Sequence, residues 1–174
     1  MAVLLNLFLD ISLLRKGPQD VPASEVLLRL TLVAYLLSGW LVLWLLGGPF
    51  FSALLQALVD LGLLSGLSYV LLFLAGYPER YPQTLTALAG TGTLLGLVGL
   101  PILAWLQRVE GMREAMALPS LFYLLLLVWN VALIGHILRH ALSCPPWRGV
   151  AYALGYLLIT MMVMGWLFSP AMSG

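Results

Sequence analysis

Five separate apolar runs, each long enough to cross a bilayer, occupy most of this 174-residue chain. A helix of about 20 mainly apolar residues spans a hydrocarbon core of about 30 Å. The runs predict spans at approximately 26–46, 51–75, 84–106, 120–138 and 150–168. Only 9% of the residues are charged, whereas soluble domains average about a quarter. We therefore expect an all-α, polytopic membrane bundle of five transmembrane helices.

The segment before the first span has its own pattern. Its apolar residues recur at helical spacing with two polar residues opposite: Leu4, Leu7, Phe8, Ile11 and Leu14, against Asn6 and Asp10. This predicts an amphipathic helix in the membrane interface, or alternatively a helix packed along the side of the bundle. Arg15 and Lys16 follow the apolar stretch, so we expect a retained segment and not a signal peptide. Residues 1–24 are thus helix and connector, and 25–174 are one five-helix domain.

The basic residues predict an orientation. Six of the eight fall at one end of the predicted bundle: Arg15, Lys16, Arg29, Arg80, Arg139 and Arg148. Arg108 and Arg113 fall at the other end. Because Lys and Arg remain preferentially in the cytoplasm, we expect a cytoplasmic N-terminus and an external C-terminus. The abundance of Leu, Ala and Gly with short loops indicates a cell membrane of the bacterial inner-membrane type.

A formal net charge of +1 without a basic cluster argues against nucleic acid as a partner. The expected partners are the lipid bilayer and other membrane proteins, or further copies of the chain. Two pairs of glycines four residues apart, Gly62 with Gly66 and Gly92 with Gly96, predict close helix packing inside the bundle. Dimerisation through the same faces is the alternative.

Asp60 is the first candidate for function, because an ionisable group inside a transmembrane helix is costly. Gln56 precedes it by one turn, and Asn130 lies in the middle of the fourth span, where we expect it to bond to another helix. Asp60 could bind a cation or relay a proton. It could equally be a carboxyl group that is hydrogen-bonded to a neighbouring helix or hydrated near the interface.

His136 and His140 are four residues apart and share a helix face. They could form a polar pocket near the cytoplasmic side or a metal or haem site, but an interfacial helix end facing lipid headgroups is the main expectation. Structural zinc normally needs four ligands, and the only further candidate is Cys144. We therefore predict no metal and no cofactor. The chain also lacks catalytic motifs, so we do not expect an enzyme.

The second turn and the third span, from Tyr77 to Pro101, resemble Yip1-domain proteins. The resemblance begins with the run Tyr77-Pro-Glu-Arg-Tyr-Pro-Gln-Thr-Leu-Thr-Ala-Leu-Ala-Gly. The fourth span, Leu127-Val-Trp-Asn-Val-Ala-Leu-Ile-Gly-His-Ile-Leu-Arg, is similar to the same family. The resemblance implies five helices and a cytoplasmic N-terminus. Eukaryotic members are associated with small GTPases through longer N-terminal regions than the 24 residues found here.

Two main functions follow from the sequence. The first is a non-enzymatic membrane scaffold or accessory subunit that organises partner proteins or lipids. The second is a small oligomeric transporter or channel, in which Asp60, Gln56, Asn130 and His136 converge on one hydrated path. A weaker third hypothesis is haem or metal binding by His136 and His140.

Overall fold

The computed structural model describes residues 2–168, and helices account for most of them. The helices are α1 (Ala2–Ser12), α2 (Glu25–Leu45), α3 (Phe50–Leu74), α4 (Tyr81–Arg108), α5 (Arg113–Ala141) and α6 (Pro146–Phe168), with short 3-10 turns at Pro18–Asp20 and Pro78–Arg80. The described residues contain no strand. Helices α2 to α6 are long and apolar enough to cross a membrane, so the prediction of five such helices is confirmed.

Two glycines end helices and reverse the chain. Gly47 has φ +87° after α2, where the Gly48 N–H donates to the Leu43 carbonyl at 3.0 Å. Gly76 has φ +80° after α3 and is followed by the same pattern of hydrogen bonds. A residue with a Cβ is disfavoured in this left-handed conformation, so glycine provides the stop. Helices α2 and α3 therefore form an antiparallel hairpin.

The link before α5 is shorter than predicted. The spans predicted from the sequence leave residues 107–119 as a link, whereas only Val109–Met112 separates α4 from α5. Residues 113–119 of this link are the beginning of α5, which continues through the buried Pro119. Pro119 lies inside α5, where a proline removes one backbone donor and crowds the preceding turn at a cost of about 3 kcal/mol.

The five long helices form a ring in the order α2, α4, α5, α6 and α3, which closes back on α2. The contact between α3 and α6 is the smallest in this ring. The beginning of α4 is the most buried part of that helix. Buried hydroxyls there bond back to carbonyls one turn earlier, as Thr84 does to Arg80 at 2.8 Å and Thr91 does to Ala87 at 2.7 Å. These bonds satisfy polar groups that would otherwise be costly in an apolar interior.

Most large buried side chains lie at one end of the ring, which we call the packed end. Helices α2, α4 and α6 begin there, and α3 and α5 finish there. Its core includes Leu27, Leu72, Leu85, Ile137 and Ala141. We call the opposite end, which contains Leu45, Phe50 and Arg108, the open end. The ring is therefore sealed at one end by apolar side chains.

Helix α1 packs against the outside of this ring, next to α4. Phe8 is buried, and its ring covers Gly90, where no space remains for a Cβ. Ile11 is fully buried, whereas Leu5 and Leu9 are exposed. The apolar face predicted for α1 thus contacts protein, in agreement with the alternative of a helix packed along the side of the bundle.

Candidate functional site

Asp60 lies near the middle of α3 and meets a phenol from α2. The Tyr35 hydroxyl donates a hydrogen bond to Asp60 Oδ2 at 2.5 Å. Both residues are about ten positions from an end of their helix, which corresponds to about 15 Å of rise. The carboxyl group is therefore far from either end of the bundle, and its partner is a tyrosine from the adjacent helix.

The Tyr35–Asp60 pair lines a central cavity of about 420 Å³. All five helices of the ring contribute to its wall. The polar residues among the lining are Tyr35, Ser38, Gln56, Asp60, Thr91, Asn130 and Tyr156. The rest of the lining is apolar or glycine. A mainly apolar cavity of this size with a few converging polar groups is typical of a small-molecule site.

Three of the four residues that define the predicted polar path meet at this cavity, namely Asp60, Gln56 and Asn130. Gln56 donates to Ser52 on its own helix at 3.1 Å. Asn130 is exposed at the cavity and has no side-chain hydrogen bond to another residue between 2 and 168, so its expected bond across helices is not observed. His136 is absent from the lining residues.

The sequence did not single out Tyr35 and Tyr156, which contribute two phenols to the cavity. Each lies near the middle of an apolar helix, where a buried tyrosine hydroxyl requires a partner. That requirement was the only signal in the sequence for these two residues. It could not identify Asp60 as the partner of Tyr35, because the two residues are 25 positions apart.

The described lining of the cavity includes an acidic side chain but no basic one. No Lys, Arg or His occurs among the described residues that line it. The ion pairs found in the described part of the chain, Lys16 with Asp10 and Arg29 with Glu25, lie elsewhere. An ionised carboxylate is costly in an apolar environment without a positive partner. The described lining of the cavity therefore provides no positive partner for an ionised Asp60.

The two histidines have a different role at the packed end. His136 Nε2 lies 3.0 Å from the Lys16 carbonyl, and since a carbonyl only accepts, this nitrogen carries the hydrogen. His140 Nε2 lies 3.2 Å from Nη2 of Arg139, which donates to it. The two rings meet edge to face, with 4.7 Å between their centroids. No group of three or more His, Cys, Asp or Glu residues assembles in the described chain.

His136 belongs to a set of three side chains that hold the end of α1 and the connector after it. Trp129 Nε1 donates to the Ser12 carbonyl at 3.1 Å, and Gln83 Nε2 donates to the Val21 carbonyl at 2.8 Å. These bonds tie the connector to α5 and α4. Carbonyl groups of the connector thus accept hydrogen bonds from side chains of the ring. The sequence analysis did not predict this arrangement.

The four predicted packing glycines have three different environments. A Cβ on Gly92 would lie 2.6 Å from the Tyr35 ring, so Gly92 provides close packing as predicted. Gly96 lines the cavity with nothing within 4 Å of its Cβ position. Gly62 and Gly66 are exposed and meet no described atom within 4 Å. Internal packing is therefore not observed at those two, because their face of α3 points away from the ring.

Helices α5 and α6 approach closely through glycines that the sequence analysis missed. On α6, a Cβ on Gly149 would collide with the Gly135 carbonyl and lie 2.8 Å from Arg139 Cβ. Gly149 precedes the fully buried Ala153 by four residues. This spacing of small residues was the available sequence signal, since it permits two helix backbones to approach closely.

Comparison of this chain with protein-family models, with curated proteins and with solved structures finds no match. Its function is therefore inferred from the central cavity and from the chemistry of the residues that line it.

Proposed function

We propose that this protein is a small membrane transporter that takes a small organic cation into the central cavity, where Asp60 binds the cation or exchanges a proton for it. The observation that carries this proposal is the convergence of Asp60, Gln56 and Asn130, from two helices, on one cavity of about 420 Å³. Residues that only stabilise separate helix contacts have no reason to meet at a common space.

The cavity chemistry supports a cation with an apolar body. Its described lining includes one carboxyl group and no basic side chain, so an anion would find no positive partner. Tyr35 and Tyr156 offer aromatic rings to a positive charge, and the surrounding leucines and glycines would contact an apolar body. Metal ions such as Ca²⁺ are usually bound by several charged or carbonyl oxygens, whereas the described lining combines a single carboxylate with neutral polar groups.

The shape of the cavity supports access from the open end. Its lining continues from Asp60 towards that end through Val42, Leu103 and Met164. Towards the packed end the core side chains block the path. Transport requires a second state in which this seal opens, and we propose that the ring opens where α3 meets α6, because their contact is the smallest.

Replacing Asp60 tests the proposal directly. We expect Asp60→Asn to weaken binding of tetraethylammonium to the purified protein by at least about tenfold, since the charge that attracts the cation is lost. The amide keeps the size of the side chain and can still accept a hydrogen bond from Tyr35. Isothermal titration in detergent gives the affinity, and weakly buffered solution reports any proton released on binding.

Glu110→Gln is the matched control, because it removes an exposed carboxylate from the link before α5. Glu110→Gln should leave the affinity for tetraethylammonium unchanged. Uptake of this cation into proteoliposomes should likewise be unchanged in Glu110→Gln and reduced in Asp60→Asn. Equal binding by wild type and Asp60→Asn would contradict the proposal. An absence of cation binding, together with a stoichiometric protein partner after gentle solubilisation, would favour the scaffold function instead.

A scaffold or accessory subunit is the second candidate. It is favoured by the exposed glycines Gly62 and Gly66, which leave a shallow face on α3 that another transmembrane helix could approach closely. In this case the partner is another membrane protein or a second copy of the chain. We propose no catalytic role, and the resemblance to Yip1-domain proteins stays a hypothesis.

We further propose a bacterial inner-membrane location with the packed end in the cytoplasm. The six basic residues assigned to one end support this orientation. Helix α1 then lies on the cytoplasmic half of the bundle, where its exposed Leu5 and Leu9 face acyl chains near the interface. Its other face stays on α4.

Cys144, the single cysteine, provides a test of orientation because it lies at the packed end and is partly exposed. We expect a membrane-impermeant methanethiosulfonate reagent to label it in inverted vesicles and not in intact spheroplasts. The double variant Cys144→Ala, Glu110→Cys should show the reverse pattern. Labelling of Cys144 from the outside would contradict the proposed topology.

A further inference from the structure

A second cavity of about 290 Å³ lies at the packed end, separate from the central one. It is enclosed by the connector after α1, the beginning of α4 and the end of α5. Its polar lining consists of Gln19, Arg80, Gln83, Thr84, His140 and Ser143. Polar side chains from three segments thus meet at the level of the helix ends, where lipid headgroups would lie in a bilayer.

Arg80 is held in a fixed position at this cavity. Its Nη1 donates to the Ala141 carbonyl at 2.9 Å and to Ser143 Oγ at 2.7 Å. The guanidinium carbon lies 4.2 Å from the centre of the Tyr77 ring. The hydrogen bonds that the described chain gives Arg80 all use Nη1, which leaves Nε and Nη2 for a ligand. A planar guanidinium with adjacent free N–H groups matches the oxygens of a phosphate.

The charges around the cavity also favour an anion. His140 adds a ring that can donate through Nδ1, because its Nε2 accepts from Arg139. The nearest acidic neighbours are Asp20, whose Oδ2 accepts from the Gly17 N–H at 2.9 Å, and the exposed Glu79. The packed end as a whole has the six basic residues named above and four acidic ones, Asp10, Asp20, Glu25 and Glu79.

We propose that this cavity binds a phosphate group, with Arg80 as the principal ligand and His140 as a second donor. The phosphate belongs either to the headgroup of an anionic phospholipid or to free phosphate from solution. The site is independent of the central cavity and of its proposed function. A bound phosphate would join the connector, α4 and α5 through one ligand, and would thereby stabilise the packed end.

The test compares two probes that carry phosphate with one that does not. Native mass spectrometry of the full chain in neutral detergent measures binding of dihexanoyl phosphatidic acid and of dihexanoylglycerol, which differ only in the phosphate. A thermal-unfolding series measures the effect of inorganic phosphate. We expect Arg80→Gln to weaken the binding of whichever phosphate probe the wild type prefers by about tenfold, because one charge-assisted contact is lost.

Arg148→Gln is the matched control, because it removes an exposed positive charge at the same end, on α6 and outside the cavity lining. Its affinities should stay within about twofold of wild type. Arg80-dependent binding of the phospholipid alone identifies a lipid headgroup, and Arg80-dependent stabilisation by inorganic phosphate alone identifies free phosphate. Either outcome supports the site.

The proposal is overturned if neither phosphate probe binds the wild type, or if Arg80→Gln and Arg148→Gln weaken binding equally. Should Arg80→Gln fail to fold, His140→Phe provides the same test while keeping an aromatic ring. His140→Phe should weaken binding of the preferred phosphate probe by about fivefold, since one neutral hydrogen bond is lost. Unchanged affinity of that variant would then overturn the proposal.

Discussion

Gly149→Ala is expected to destabilise the protein by about 3 kcal/mol, at the upper end of the cost of overpacking. The added methyl group would collide with the Gly135 carbonyl and approach Arg139 Cβ to 2.8 Å. These neighbours belong to the backbone and to the base of a side chain, so no simple rotation relieves the collision. Helices α5 and α6 must move apart, which weakens one of the largest contacts in the ring.

The measurement is the unfolding free energy in mixed micelles, with Gly62→Ala as the matched control. Gly62 is also in a helix interior, but nothing lies within 4 Å of its Cβ position. The unfolding free energy of Gly62→Ala should exceed that of wild type by no more than about 1 kcal/mol, because alanine favours helix more than glycine does. Equal stability of the two variants would show that α5 and α6 do not approach closely at Gly149.

Gly96→Leu is expected to weaken cation binding strongly while the fold stays intact. Gly96 lines the central cavity, and its Cβ position has no atom within 4 Å, so the new side chain enters empty space. The isobutyl group would occupy the volume that the ligand needs. A clash of 1–3 kcal/mol with the ligand corresponds to a loss of affinity of about 5- to 150-fold.

Two measurements on Gly96→Leu separate the effects on binding and folding. Its melting temperature should equal or exceed that of wild type, whereas its affinity for tetraethylammonium should fall. Gly62→Leu adds the same group to the exposed face of α3 and should change neither quantity. If Gly96→Leu binds the cation as wild type does, the central cavity is not the binding site.

Three of the polar residues that the sequence identified as chemically unusual meet at one cavity. Asp60, Gln56 and Asn130 were notable because polar side chains are rare in apolar spans, and all three line the cavity. His136 was grouped with them on the same reasoning, yet it binds the Lys16 carbonyl instead. Polarity indicates that a side chain needs a partner, but only the positions of the other helices determine which partner it finds.

The glycines show more clearly that a sequence pattern does not determine which surface a residue meets. Gly62, Gly66, Gly92 and Gly96 have identical spacing in their pairs, but they lie on lipid-facing, packed and cavity-lining surfaces. The spacing establishes that two small residues share a helix face. It does not establish the rotation of that helix about its axis, which decides what the face meets.

The sequence by itself determined the number of long apolar helices and their approximate bounds, because bilayer thickness sets the length of an apolar run that can span it. Only the tertiary structure decided the ring order, the Tyr35–Asp60 pair, the close approach at Gly149 and the cavity around Arg80. These features join residues far apart in the chain. Among uniformly apolar helices, the hydrophobic pattern does not specify which faces meet, so packing of small residues and hydrogen bonding between helices make that choice.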